Sequence, residues 1–169
     1  PHPAQGGGRR LRNAHHRRPG DDGQIIAFTN GTGHALPLGV ARTVCKGDDL
    51  TIVTWAAMVG VSEAAATTLR GMGISAEVID LRTLWPWDRD AVFHSVRKTG
   101  RLLVVHEAVQ IGGFGGEISA EVSEHLFDHL KGPVKRMGGA RIPIPFSIPL
   151  EEAYMISPDQ VVEKARSFF

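Results

Sequence analysis

The sequence predicts a small domain of the α/β class: an open, mainly parallel sheet of about five strands with helices on both faces. From about Ala35 onward, short apolar runs alternate with segments of helical periodicity, which is typical of βα units. Residues 101–105 (RLLVV) contain an unbroken apolar run after Arg101, as expected for a strand covered on both faces. A chain of 169 residues with 42% hydrophobic content is long enough for one such domain, which we expect to span residues 35–169.

Residues 1–34 are expected to lie outside this domain as a basic segment rich in Gly, Arg and His. The first twenty residues contain five arginines and no acid, and they lack the apolar periodicity of a packed face, so we expect disorder. A basic arm for nucleic acid, an Arg-rich targeting segment and a linker are the alternatives. The chain begins with Pro1, which fits a fragment, a processed product or an incomplete gene. Residues 24–29 (QIIAFT) form a candidate strand.

The first βα unit of the domain follows the turn-forming residues 46–49 (KGDD). Residues 51–55 (TIVTW) are rich in β-branched side chains and are predicted to form a central strand. The helix that follows carries its apolar residues on one face and ends at Gly71 and Gly73. The residues predicted to face the core from this helix are Val61, Ala65, Leu69 and Met72.

The second unit begins with a strand at residues 76–81 (AEVIDL). Asp88 is predicted to cap the start of the next helix and Gly100 its end. The residues of this helix predicted to face inward are Val92, Phe93 and Val96. Trp85 and Trp87 lie in the preceding loop, where they serve either as exposed anchors for a partner or as packing for the helix.

The third strand, residues 101–105, is predicted to present His106 and Glu107 at its carboxyl end. The glycine-rich residues 112–116 (GGFGG) then open a long helix, and residues 134–137 form the fourth strand. The apolar residues of that helix are Ile118, Val122, Leu126 and Leu130.

The last part of the domain is predicted to run from an extended surface segment into a helix. Pro143, Pro145 and Pro149 exclude a central strand, because proline lacks the backbone donor of a sheet. Ser157 and Gln160 have the spacing of a capping box and predict the start of the last helix. Its inward-facing residues are predicted to be Val161, Val162, Ala165 and Phe168.

The most site-like feature is His106 and Glu107 followed by the glycine-rich turn, because open α/β sheets bind ligands beyond the carboxyl ends of their strands. Backbone amides at the helix start could hold an anion, and His beside Glu could transfer a proton. We favour a second interpretation, in which the glycines permit a tight turn and the close approach of another surface. Phe168 and Phe169, at the chain end, either pack or dock. The candidate interface residues are His106, Glu107, Gly112, Gly113, Phe114, Gly115, Phe168 and Phe169.

Other reactive patterns are weak. Glu121, His125 and His129 share one helix face at metal-chelating spacing, but they alternate with the apolar stripe, so a solvated face is the favoured interpretation. The sequence has no Gly-x-Ser-x-Gly motif, and Cys45 lies in an apparent linker, so nucleophilic catalysis has no support.

Charge and cysteine content point to a protein or small-molecule partner. The net charge of +1 gives no electrostatic argument for nucleic acid or an anionic membrane, and no apolar run approaches the roughly 20 residues of a membrane span. A single cysteine excludes an internal disulfide and fits a reducing, cytoplasmic compartment.

Four stretches together resemble one protein family, the transketolase-like beta subunits of the thiamine-diphosphate-dependent 2-oxo acid dehydrogenases, in their C-terminal domain. In order and spacing the stretches cover about residues 36–169. They are LPLGVARTVCKGDDLTIVTWAAMV, VIDLRTLWPWD, SVRKTGRLLVVHEAVQIGGFGGEI and PVKRMGGARIPIPFSIPLEEAYMISPDQVV. The wording of KTGRLLVVHEA and PDQVV is closer to these enzymes than to transketolase itself, which shares the fold.

The resemblance implies a role in assembly. In the family, thiamine diphosphate lies between a domain of the alpha subunit and the pyrimidine-binding domain that begins the beta subunit. The C-terminal domain builds the heterotetramer and helps dock the dihydrolipoyl acyltransferase core. Neither Asp21-Asp22-Gly23 nor Gly47-Asp48-Asp49 replaces the diphosphate-binding motif, because neither follows a core strand or has the later asparagine pair. The activating glutamate of the family has no counterpart in residues 1–35.

We therefore expect no catalytic, cofactor-binding or metal-binding residue in this chain, which alone should be inactive. The expected function is that of the assembly domain of a pyruvate or branched-chain 2-oxo acid dehydrogenase, with thiamine diphosphate present only in the assembled enzyme. The expected partners are the alpha subunit, the pyrimidine-binding domain and the acyltransferase core, with homodimeric or heterotetrameric contacts. The alternative is a stand-alone interaction module without catalytic activity. Two departures from the family are Arg141, where an aspartate is usual, and the unmatched leading residues.

Overall fold

The structure, a computed structural model, describes residues 27–29 and 35–169. The chain divides into two units, Pro1–Pro37 and Leu38–Phe169. In the first unit, strand β1 (Ala27–Thr29) pairs antiparallel with strand β2 (Ala35–Pro37). β1 falls inside the strand expected at residues 24–29. The expectation of disorder in the basic leading segment lies outside the described residues.

The second unit is built on a five-stranded sheet, and its strands are β3 (Arg42–Cys45), β4 (Leu50–Thr54), β5 (Ala76–Asp80), β6 (Leu102–Val109) and β7 (Lys135–Gly139). Their order is β3-β5-β4-β6-β7, which places β4 at the centre, as predicted. β5, β4, β6 and β7 run parallel, and β3 is antiparallel to β5 at one edge. The predicted mainly parallel sheet is confirmed.

The helices are α1 (Met58–Gly71), α2 (Arg89–Thr99), α3 (Gly115–Leu126), α4 (Ile148–Tyr154) and α5 (Pro158–Arg166). α1 and α5 cover one face of the sheet, where Leu69 and Val161 pack with Ile52. α2 and α3 cover the other face, against Val53. Consecutive residues of β4 therefore point to opposite cores, because side chains alternate along a strand. None of the helices in the described part combines the length and apolar character that a bilayer crossing needs.

The helix boundaries follow their predicted capping residues. The Asp88 carboxylate accepts hydrogen bonds from the backbone N–H groups of Ala91, at 3.0 Å, and of Ala41, at 2.9 Å. One side chain thus caps α2 and fixes the segment entering β3. Gly100 ends α2 with a φ of 73°, a conformation that favours glycine. Ser157 and Gln160 form the predicted capping box of α5.

Several sequence-based assignments were wrong. Leu130, expected on the helix after the glycine-rich turn, lies beyond α3, which ends at Leu126. Met72 lies one residue beyond α1 and is exposed, because the helix has already ended at Gly71. Cys45 belongs to the edge strand β3 rather than to a linker. Pro149 lies inside the short helix α4, where the extended segment was expected to continue. A proline fits there because the first turn of a helix needs no backbone donor.

Strand β6 is longer than predicted, and this extension positions the candidate site. β4 ends at Thr54, opposite Val105, whereas β6 continues to Val109 because β7 supplies a further partner at Gly139. His106 therefore lies within the strand rather than beyond its end, which corrects the expectation. The extension places its side chain beside the residues that follow β4.

Candidate functional site

Aromatic side chains meet where β4 ends and β6 continues. The indole of Trp55 stacks on the imidazole of His106, with ring centroids 5.3 Å apart and planes 9° apart. Phe114 meets the edge of Trp55 at 6.2 Å, and Trp87 meets Phe114 at 6.4 Å. We call Trp55, Trp87, His106 and Phe114 the aromatic junction. Its edge-to-face and stacked contacts connect two strands with the loops before α2 and α3.

Three glycines enclose the imidazole of His106. A Cβ added to Gly113 or Gly115 would lie 2.7 Å from an atom of the ring, and one added to Gly138 would lie 2.8 Å from it. Real Cβ atoms do not approach so closely, so each position requires glycine or a displaced ring. Gly112, with a φ of 77°, provides the turn. The glycine-rich segment therefore both turns tightly and admits a close neighbour, and that neighbour is an imidazole of the same domain.

Burial disfavours the protonated form of His106. The residue is fully buried, and neither ring nitrogen has a hydrogen-bond partner among the described residues. Burial lowers its pKa below the usual range, and the positive charge of Arg136 lowers it further. The backbone of Ala108 raises the pKa of His106, although no hydrogen bond joins the two residues. The imidazole therefore serves as a packing group, and it donates no hydrogen bond to Glu107.

The start of α3 uses its own backbone donors. The N–H groups of Gly116 and Glu117 donate to the carbonyl oxygens of Gly113 and Phe114, at 2.9 and 3.0 Å. The N–H group of Ile118 also donates to Phe114, at 3.2 Å. An anion at this helix start would have to compete with these bonds and with the carboxylate of Glu117. The geometry supports the packing interpretation of the glycine-rich turn over anion binding.

The candidate interface residues divide by accessibility. Glu107 and Gly112 are exposed, and Gly113 and Phe114 are half-buried. His106 and Gly115 are buried, so they lie beneath the end of β6 and the loop that follows it, residues 107–112. Their assignment to an interface stays a prediction.

The two terminal phenylalanines differ in the same way. Phe168 packs against the core on the α1 and α5 face, with the Lys135 ammonium 4.2 Å from its ring centre. Phe169 is 59% exposed, and the guanidinium of Arg101 lies 4.3 Å above its ring. Packing therefore explains Phe168, whereas Phe169 stays accessible for docking.

The two tryptophans of the loop before α2 also differ in their exposure. Trp85 is exposed, while Trp87 packs on Phe93 and Phe114. Packing is thus the role of Trp87, whereas a partner contact through Trp85 stays a prediction.

Glu121 of α3 is held by structural contacts. Its carboxylate forms an ion pair with Arg89 at 2.6 Å and lies 3.5 Å from Nε2 of His125. His129 lies in the short 3-10 turn after Leu126, so it has left the helix face on which chelation was considered. Within residues 27–29 and 35–169, no three metal-ligating side chains come together.

The segment Gly47-Asp48-Asp49 does not fit a bound diphosphate. The Asp49 carboxylate accepts a hydrogen bond from the Ser75 backbone at 2.7 Å, and Asp48 pairs with Lys98 at 3.4 Å. A side chain at Gly47 would collide with the backbone of Ala76, at the amino end of β5. These residues hold the amino-end loops together. Asp21-Asp22-Gly23 lies outside the described residues.

Two features of the surface and site were missed from the sequence. Gly138 was not associated with His106, although a Gly-Gly pair at the end of a predicted strand is a signal of close approach. The apolar residues between and next to the prolines were not singled out, and they are exposed by 57–103%. We call Ile142, Ile144, Phe146, Ile148 and Leu150 the apolar ridge.

The fold and the aromatic junction define an α/β domain whose carboxyl-end position, where such sheets often bind ligands, is filled by its own side chains. The profile of the family described as "Transketolase, C-terminal domain" matches residues 39–161. The chain belongs to this family.

Relatives at the sequence level are beta subunits of 2-oxo acid dehydrogenases. The chain is 42% identical over 134 residues to 2-oxoisovalerate dehydrogenase subunit beta 2, mitochondrial, of Arabidopsis thaliana, a match that covers 79% of this chain and 37% of the relative. It is 40% identical over 133 residues to the mitochondrial pyruvate dehydrogenase E1 component subunit beta of Dictyostelium discoideum, with coverages of 79% and 37%.

A solved structure described as "Split gene transketolase, inactive beta4 tetramer" has a TM-score of 0.69 and 29% identity to this chain. The match covers 80% of this chain and 43% of that one. The chain thus spans less than half the length of these relatives, in the part that forms the C-terminal domain of a beta subunit.

Proposed function

We propose that the chain is the C-terminal assembly domain of a 2-oxo acid dehydrogenase beta subunit. It supports thiamine-diphosphate-dependent oxidative decarboxylation by subunit association rather than by contributing catalytic groups. The observation that carries this proposal is the filled carboxyl-end position: His106, Trp55 and Phe114 occupy it, and Gly113 and Gly115 are shaped to the imidazole. A sheet end packed in this way provides a rigid base for surface loops.

The expected partners are the alpha subunit, the pyrimidine-binding domain and the dihydrolipoyl acyltransferase core. Two accessible features suit such contacts: the end of β6 with the loop that follows it, residues 107–112, next to the aromatic junction, and the exposed ring of Phe169. Aromatic side chains are frequent anchors in interfaces. The naming of the sequence relatives as beta subunits and the description of the solved relative as a tetramer support a role in assembly.

Thiamine diphosphate, when bound in the assembled enzyme, supplies the carbanion chemistry of decarboxylation. The described residues of this chain do not fit the cofactor, because Gly47, Asp48 and Asp49 are committed to structural contacts. The substrate is proposed to be a branched-chain 2-oxo acid or pyruvate, since relatives of both kinds match. The proposed compartment is the cytoplasm, and the mitochondrial names of relatives make the mitochondrial matrix the alternative.

Complementation in trans tests the proposal. The chain is added to the alpha subunit and to a beta subunit of a related 2-oxoisovalerate dehydrogenase that lacks its own C-terminal domain. Expected is recovery of decarboxylation with a branched-chain 2-oxo acid, and little recovery without the chain. Phe169→Ser should weaken recovery by about tenfold if Phe169 anchors a partner. Phe127→Ser is the matched control, because Phe127 is another exposed phenylalanine and directly follows α3 in the sequence.

Calorimetry of the isolated chain with thiamine diphosphate provides the opposing result. Micromolar binding would contradict an assembly role, because it would require a cofactor site within the chain itself. Capture of the acyltransferase core or of the alpha subunit without recovery of activity would support the stand-alone interaction module instead.

A further inference from the structure

A cleft of about 580 Å³ lies between the end of β7 and α5. The sheet contributes Met137 and Gly138, and Gln110 joins them from the end of the neighbouring strand β6. Small-ligand sites usually have volumes of about 300–1,000 Å³, and open α/β sheets place them beyond the carboxyl ends of their strands. Met137 packs on the α1 and α5 face of the sheet, whereas the aromatic junction packs on the α2 and α3 face. The cleft is therefore separate from the junction.

One polar face of α5 lines the opposite side of the cleft. Three residues of the helix and one residue just after its end contribute: Gln160, Glu163, Lys164 and Ser167. They share one face because residues three and four positions apart are neighbours on a helix. The buried residues of α5 lie on a different face, which packs against the core. The cleft is thus bounded by a helix that the core holds in place.

Three charged side chains line this cleft without a counter-charge from the domain. Within residues 35–169, none of Arg136, Glu163 and Lys164 belongs to an ion pair. Arg136 is half-buried, and its guanidinium donates to the carbonyl oxygen of Gln110 at 3.3 Å. A guanidinium has five N–H donors in a fork that matches a carboxylate, so most of its donors remain for a ligand. The opposite charges of Arg136 and Glu163 therefore line one cleft without neutralising each other.

The combination of groups selects the chemistry of the ligand. A simple carboxylate would suit Arg136 and Lys164 but would lie near the negative charge of Glu163. A simple amine would suit Glu163 but would lie near two positive charges. A molecule that carries a carboxylate and an ammonium group satisfies both sets, because each charge then finds its opposite. Met137 and Ile156, both half-buried, add apolar surface for an aliphatic group.

We propose that this cleft binds an α-amino acid with an aliphatic side chain. Its carboxylate lies toward Arg136 and Lys164, its ammonium group toward Glu163, and its side chain on Met137 and Ile156. This inference goes beyond the role in assembly and does not depend on it, since every residue of the cleft belongs to this chain.

Calorimetry of the whole chain with leucine and three of its relatives tests the proposal. One relative is the 2-oxo acid with the same carbon skeleton, which lacks the ammonium group. The second is isopentylamine, which lacks the carboxylate, and the third is glycine, which lacks the side chain. Leucine should bind at least about tenfold more tightly than each of them, because each loses one of the three kinds of contact.

The Glu163→Gln variant separates recognition of the ammonium group from a general attraction of anions. It should weaken the binding of leucine by about tenfold without weakening the binding of the 2-oxo acid. Glu152→Gln is the matched control, because Glu152 is an exposed acid of α4 that does not line the cleft. Thermal unfolding of both variants reports whether the fold is retained.

Three results would each overturn the proposal. One is the absence of leucine binding at millimolar concentration. Another is a 2-oxo acid or an amine that binds as tightly as leucine. The third is a Glu163→Gln variant that binds leucine as the unchanged chain does, or that weakens leucine and the 2-oxo acid equally.

Discussion

The glycine enclosure of His106 makes a sharp prediction for Gly115→Ala. The added Cβ would lie 2.7 Å from both Cδ2 and Nε2 of the imidazole and 3.2 Å from Cγ1 of Val104. His106 is fully buried and stacked on Trp55, so the ring has little room to move. Overpacking of this kind costs about 1–3 kcal/mol. Alanine gains up to about 1 kcal/mol over glycine within a helix, and less at the first position, so a net loss of about 1–2 kcal/mol is expected.

The neighbouring glycine provides the matched control. A Cβ at Gly116 would meet only the tip of the flexible Arg136 side chain, at 3.3 Å. Gly116→Ala should therefore change the free energy of unfolding by less than about 0.5 kcal/mol or increase it. The measurement is urea unfolding followed by circular dichroism, with the slope of the transition compared to confirm that the unfolded states are alike.

A double-mutant cycle ties the effect to the imidazole. In a His106→Ser background the ring is absent, so Gly115→Ala should lose most of its cost, with a coupling energy of about 1 kcal/mol. Equal effects of Gly115→Ala and Gly116→Ala, or an effect of Gly115→Ala that persists without the imidazole, would refute the packing argument.

Three further predictions follow from particular contacts. Because burial lowers the pKa of His106, the unfolded chain binds a proton that the folded chain rejects as the pH falls below the ordinary value of 6.5. As the pH falls, this group should lower the free energy of unfolding by up to about 1.4 kcal/mol per pH unit. Unfolding curves at several pH values measure this dependence, and His106→Asn should remove it. Lys98 donates a hydrogen bond to the Glu77 carboxylate at 2.8 Å, and this bond raises the pKa of Lys98. Lys98→Met should lower the free energy of unfolding by about 1–3 kcal/mol, because it leaves a nearly buried carboxylate without its partner. The same substitution should cost less when Glu77→Gln is also present. Asp88→Ala should lower the free energy of unfolding by about 1–2 kcal/mol. In hydrogen exchange, the same variant should lose protection at the Ala41 amide, which donates to Asp88. Asp90→Ala, which removes no cap, should leave that amide protected.

Local signals in the sequence were enough for most of the fold. The alternation of apolar runs with helical periodicity predicted the parallel strands, because buried parallel strands must be apolar on both faces. Asp88, Gly100 and Ser157 marked helix ends through their own side chains or backbone conformation, which depend little on distant residues. The antiparallel strand containing Cys45 was missed, since its pairing with β5 joins residues far apart in the chain.

The site was less predictable, for a physical reason. His106 and the glycine-rich turn were singled out together, and the structure brings them into contact. Trp55 and Gly138, however, reach the imidazole through β4 and β7, whose positions beside β6 are set by the order of strands. No periodicity within either segment reports on that order. Helix α4 was missed because Pro149 excludes a helix interior but not a first turn.

The unequal lengths of the central strands have a geometric consequence. β6 and β7 run on past the last residue that β4 pairs, ending at Val109 and Gly139. The loop that begins at Gln110 and the segment that bears the apolar ridge thus both follow this two-stranded extension, with His106 at its base. Because β6 and β7 are parallel, both segments leave the sheet at the same end, and the pairing of the two strands sets the distance between the points where they begin.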